Sequence, residues 1–134
     1  KYTTPLIVID FGTATTFDVL NKEGNYIGGA ISPGLELGLN ELTKKAAQLT
    51  SVNLIPPKNF IGDTTEKQIQ SGIFSGHICL IKGMINNFKK ELNQENVKII
   101  GTGGLSEEFS KHMEMTNDYY LTLNGLKRIF NLNS

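Results

Sequence analysis

From Leu6 to Asp10 the chain is an unbroken apolar run that ends on a carboxylate, the pattern of an inner strand covered on both faces. A Gly-Thr turn follows. Thr16 to Leu20 then alternates as a second strand, and Asn21 to Asn25 (NKEGN) supplies hairpin punctuation before a third strand from Tyr26 to Ile31. The domain therefore opens on a strand meander. Ser32-Pro33-Gly34 reads as a helix start, with Ser32 as cap and proline in the first helical position, and Leu35, Leu39, Leu42, Ala46 and Leu49 recur at helical spacing through residue 49. Leu54 to Gly62 holds Pro56-Pro57 and no period, which marks a connecting loop.

Thr64 or Thr65 caps a longer helix with an apolar stripe of Ile69, Ile73, His77, Leu80, Met84 and Phe88, running to about Leu92. Gly72, Gly76 and Gly83 lie inside it. Each costs roughly 1 kcal/mol against alanine, so their presence predicts close approach of another backbone. Val97 to Ile100 forms a short strand entering Gly101-Thr102-Gly103-Gly104, and Ser106 caps a helix of about eight residues. Tyr119 to Leu121 reads as a last strand, with Thr122 capping a terminal helix through Phe130. No internal repeat appears, and the order of elements defines one α/β domain.

Composition narrows the possible roles. The 134 residues carry thirteen basic and thirteen acidic side chains, and Arg128 is the only arginine, so no basic stripe exists for a nucleic-acid backbone. Cys79 is the only cysteine, which excludes an internal disulfide and fits a reducing, cytoplasmic setting. The aliphatic runs fall well short of the ~20 residues of a membrane helix, so no membrane association is expected. The opening Lys1-Tyr2-Thr3-Thr4-Pro5 runs almost directly into a buried strand, as expected for a fragment of a longer protein.

Candidate chemistry gathers at two glycine turns. In GTATT, Gly12 lets backbone N–H groups approach an anion, and Thr13, Thr15 and Thr16 add hydroxyl donors. An ordinary tight hairpin accounts for the same residues. Asp10 tilts the choice, because a carboxylate ending an inner strand must be solvated in a cleft, hydrogen-bonded or bound to a cation. The second turn, IIGTGGL, sits between a strand and a helix, where nucleotides dock in α/β sheets; a plain tight turn explains it equally well. Thr65 is either a substrate donor or a cap. His77 reads as a packed core or interface histidine and His112 as a surface one, and neither has metal-site spacing. Asp10-Phe11-Gly12 also matches the metal-binding tripeptide of protein kinases, but no glycine-rich loop, VAIK strand or HRD loop accompanies it.

Taken in order, VIDFGTATTFDVL, GGAISPGLELGLNEL, IGDTTEKQIQSGI, GTGGL and LTLNGLKRIF resemble the second half of type III pantothenate kinases, relatives of acetate kinases, sugar kinases, heat-shock chaperones and actin. The resemblance implies an actin-like (ribonuclease H-like) α/β domain, with a three-stranded meander followed by helices and further short strands. It implies that residues 1–134 are the carboxyl-terminal domain of a two-domain kinase that takes ATP, a divalent cation such as Mg2+, and K+ or NH4+. By position, the family's second phosphate motif falls on Asp10, Gly12, Thr13, Thr15 and Thr16, with Asp10 near the monovalent cation. Its adenosine-side turn falls on Gly101, Thr102, Gly103 and Gly104, and its pantothenate contact on Thr65. A homodimer through the helix of about residues 65–92 is also implied.

Two family features have no counterpart in the chain: a first phosphate hairpin with a DxGN motif, and a GxDR motif whose aspartate is the presumed general base. Phosphoryl transfer rests on positioning and charge stabilisation from both sides of the nucleotide, so the chain alone is expected to be inactive and to hold no catalytic base. Two other readings stay open on the same scaffold: a regulatory, accessory transcription-factor-like protein, and a nucleotide-binding dimerisation module.

Overall fold

The computed structural model describes residues 1–46 and 52–133; Leu49, the last apolar position predicted for the first helix, lies outside them. The meander forms as its alternation requires. β1 (Leu6–Phe11), β2 (Ala14–Leu20) and β3 (Tyr26–Pro33) pair antiparallel, with Asp10 opposite Thr16 and Phe11 opposite Thr15. β4 (Lys98–Thr102) pairs parallel with the other side of β1, placing Asp10 opposite Thr102, and the two-residue β5 (Thr116–Asn117) pairs parallel with β4. The result is a mixed five-stranded sheet in the order β3-β2-β1-β4-β5.

Side chains alternate across a strand, so the two faces of this sheet differ. Ile7, Ile9, Phe11, Phe17, Val19 and Ile99 join Leu35, Phe74, Ile81, Ile85 and Phe109 in one core. Each such side chain contributes about 1.5–3 kcal/mol by leaving water. On the opposite face, Val8, Asp10, Thr16 and Asp18 are half-buried and Ile31 is exposed.

The helices depart from the periodic reading at their ends. α1 (Leu35–Lys45) takes Gly34 as its N-cap residue. Ser32 and Pro33 do not start it. They extend β3, pairing with Thr15 and Ala14, and proline is tolerated at this strand end because β3 is an edge strand.

The long helix is three pieces: α2 (Thr65–Gln70), a π turn (Ser71–Ser75) and α3 (Gly76–Leu92). Thr64 is its cap, accepting a hydrogen bond from the Lys67 N–H at 3.2 Å. The wider π turn inserts a residue into the repeat and rotates α3 relative to α2. Phe74, Ile81 and Ile85 are therefore buried along with Ile69 and His77, whereas Leu80, predicted on the buried stripe, is exposed. Gly72 and Gly83 face open space, and a side chain at Gly76 would only touch the Ser71 carbonyl oxygen at 3.9 Å, so among the described residues no backbone packs closely on them.

Beyond β4, α4 (Ser106–Ser110) has five residues, not eight. Ser106 is not its cap: its hydroxyl bridges the Gly103 carbonyl (2.8 Å) and the Asn117 side-chain oxygen (2.7 Å), tying the turn to β5. The last strand is Thr116–Asn117, not Tyr119 to Leu121. The Asp118 N–H bonds to the Gly101 carbonyl (2.8 Å), and the Asp118 carbonyl accepts the Leu121 N–H (3.1 Å), a turn that opens α5 (Leu121–Leu132) before Thr122. No residue of α5 is buried, and Leu123, Leu126 and Ile129 are exposed. Among the described residues no helix is long and apolar enough to cross a membrane.

Candidate functional site

Because β1 and β4 run parallel, they deliver two turns to one edge of the sheet: Gly12-Thr13 after β1 and Gly103-Gly104 after β4. That edge, outside the carboxyl ends of parallel strands, is where open α/β sheets bind ligands. Asp10, Thr16 and Thr102 are cross-strand partners and so share one face there.

The turns are locked together by close approach. Gly103 adopts φ +90°, and a Cβ on it would strike Oδ1 of Asp10 and meet the Phe11 backbone N and O at 2.8 Å. Glycine is required there both for its backbone angle and for the room it leaves the carboxylate. Gly34 donates its N–H to the Thr13 carbonyl at 2.9 Å, and a Cβ on it would collide with that same oxygen. The β3–α1 corner thus rests on the β1–β2 turn, which closes on itself through the Gly12 N–H to the Ala14 carbonyl (3.1 Å).

The threonines of this turn divide by face. Thr13 is exposed and Thr16 is half-buried beside Asp10. Thr15 faces the helices, is almost fully buried, and places Oγ1 2.9 Å from Nε2 of His77. The His77 ring tilts against Phe109 with centroids 5.5 Å apart, and burial lowers its pKa, favouring the neutral imidazole.

Of the second glycine cluster, Gly101 lies within β4 against Met115 and Phe11, and Thr102 is buried with its hydroxyl donating to the Tyr119 carbonyl at 3.4 Å. Gly103 and the exposed Gly104 form the turn proper. Thr65 is separate: it is exposed at the start of α2, in a shallow hollow with Leu42, Ile69, Gly72 and Ile73. His112, predicted at the surface, is half-buried, its ring nearly perpendicular to that of Phe74 with 5.5 Å between centroids.

Asp118 is a buried charge that periodicity did not mark. Its carboxylate accepts hydrogen bonds from Lys1 Nζ and the Tyr2 hydroxyl, both at 2.6 Å, which hold its pKa below the usual carboxylate range. The chain's first residues are thereby fastened to the end of β5. Chemically, the sheet edge offers backbone donors, two accessible threonine hydroxyls and one carboxylate, a set that suits phosphate oxygens with an accompanying cation. Among the described residues no three His, Cys, Asp or Glu side chains group together as a metal cage.

A sequence profile of type III pantothenate kinases matches residues 1–87. The chain belongs to that family. It is 47% identical over 135 aligned positions to a type III pantothenate kinase of Paramagnetospirillum magneticum, with 99% of this chain and 52% of that enzyme covered. It is 43% identical to a type III pantothenate kinase of Citrifermentans bemidjiense, covering 99% of the chain and 53% of the relative. The chain therefore spans about half the length of the curated relatives it matches. A crystal structure described as a Baf family transcriptional activator from Campylobacter jejuni superposes with a TM-score of 0.71 over 96% of this chain and 58% of that one, at 23% identity. At that identity the likeness concerns the fold alone.

Proposed function

We propose that this chain is the carboxyl-terminal half of an ATP-dependent kinase that phosphorylates pantothenate, the first step of coenzyme A synthesis, in the cytoplasm. The observation that carries this reading is the meeting of the Asp10 carboxylate with the Gly103 turn across the β1–β4 pair, which joins both glycine motifs at one sheet edge. Thr13 and Thr16 donate to the nucleotide phosphates, and Gly12, whose N–H closes the turn on the Ala14 carbonyl, lets the phosphates approach the backbone. Thr15 acts through the buried face, and Gly103-Gly104 admit the adenosine side close to the backbone. Asp10 neighbours the monovalent cation, K+ or NH4+, which with Mg2+ on the nucleotide supplies positive charge against the phosphates. Thr65 contacts pantothenate, and α2–α3 pairs with a second copy.

The general base belongs to the other half of the longer protein, as does the opposing phosphate hairpin. General-base assistance contributes about 10²- to 10⁴-fold, and positioning on the second side of the nucleotide contributes further. The exposed leucines of α5 and the half-open face bearing Asp10 support the presence of a second domain. A coupled assay for pantothenate-dependent ADP release tests the reading. The isolated chain is expected to show no turnover and the full-length protein to show it; turnover by the chain alone would place the base within residues 1–134.

A further inference from the structure

We propose that His77 is a positioning residue for the β1–β2 turn: aimed at the sheet by the π turn, it holds Thr15 through a buried hydrogen bond and so sets the backbone of Gly12 to Ala14. The role deepens the reading of that turn as a phosphate site and rests on it.

Three observations converge. Thr15 is the second residue of β2, next to the Ala14 on which the turn closes, and its hydroxyl is 2.9 Å from Nε2 of a histidine 62 residues away. Both partners are buried, so neither is free to exchange the other for water without exposing a polar atom to an apolar core. The histidine is also held by its surroundings, with its ring against Phe109, which itself stacks on Phe11 at 4.7 Å. Phe11 is the residue immediately before Gly12 and pairs with Thr15 across the ladder.

The π turn adds the means of aiming. Ser71–Ser75 ends two residues before His77, and π turns occur mostly as single-turn bulges inside α-helices, frequently at functional sites. Here the extra residue brings Phe74 and His77 together onto the sheet, while the exposed Gly72 and Gly76 remain on the outer side. The β1–β2 turn is consequently gripped twice, by Gly34 at the Thr13 carbonyl and by His77 at the Thr15 hydroxyl.

Amide hydrogen exchange on the full-length protein tests this without reference to activity. The Gly12 and Gly34 N–H groups report the turn, since they bond to the Ala14 and Thr13 carbonyls, and the Ile7 and Ile9 amides report the core. In Thr15→Val and His77→Leu, exchange at Gly12 and Gly34 is expected to accelerate about tenfold more than at Ile7 and Ile9. His77→Gln, which sets an amide near the position of Nε2, is expected to restore most of the protection. Should His77→Leu fail to fold, Thr15→Val, which trades one hydroxyl for a methyl, decides alone. Equal acceleration at turn and core, or none at the turn, overturns the role. Protection of Gly12 by added MgATP in the full-length wild-type protein tests the phosphate reading separately: its absence removes that reading, whereas the exchange pattern of the variants judges His77.

Discussion

Asp10 and Gly103 occupy adjoining ends of two parallel strands so closely that the carboxylate of the first fills the space a side chain on the second would need. This makes the two glycine turns one structure. Gly103→Ala is expected to destabilise the chain by about 1–3 kcal/mol, from a side chain forced to a positive backbone angle and from displacement of the carboxylate. Urea unfolding measures it; an unchanged midpoint would show that Asp10 and the turn move apart freely.

His77 confers a predictable pH response. Burial depresses its folded pKa below the ordinary value near 6.5, so between the two values the unfolded chain binds more protons than the folded one. Its contribution is fully present above about pH 6.5, declines as the pH falls toward the folded value, and is constant below it. The stability difference between wild type and His77→Leu, measured by urea unfolding at pH 7.5 and at pH 5, is expected to shrink at the lower pH. A difference independent of pH would mean that the imidazole is as readily protonated in the fold as out of it.

The glycines of the long helix give a prediction of the opposite kind. Among the described residues the space around Gly72 and Gly83 is open, so Gly72→Leu and Gly83→Leu are expected to leave the monomer fold intact and to gain up to about 1 kcal/mol of helix propensity each. If α2–α3 is the dimer contact of the full-length protein, the same changes give a mass of one chain by light scattering. A dimer of unaltered affinity would locate the interface elsewhere.

Local pattern in the sequence encodes only part of this architecture. The meander, the Asp10-to-Thr16 turn and the glycines after β4 are spelled by short-range alternation and punctuation. The π turn leaves no mark in the periodicity, because a regular helical repeat has a constant number of residues per turn, and one inserted residue puts Ile81 rather than Leu80 in the core. Residue type alone groups Thr15 with its neighbours as a donor. Strand alternation already set it on the face of Phe17 and Val19, but its partner His77 lies in a distant helix whose placement only the fold supplies. β5 has only two residues, too few to leave a period in the sequence, and the hydrogen bond from the Asp118 N–H to the Gly101 carbonyl decides where it ends.

The central claim is that the edge carrying Asp10, Gly12 and Gly103 faces the nucleotide phosphates and their cation. Asp10→Asn in the full-length protein tests it most directly, because the change removes one charge and keeps the size of the side chain. Steady-state phosphoryl transfer to pantothenate is expected to fall on the order of 10²-fold or more, with a changed dependence on potassium, while the unfolding midpoint stays near that of wild type. Activity and potassium dependence indistinguishable from wild type would contradict the assignment of this edge as the phosphate side of the site.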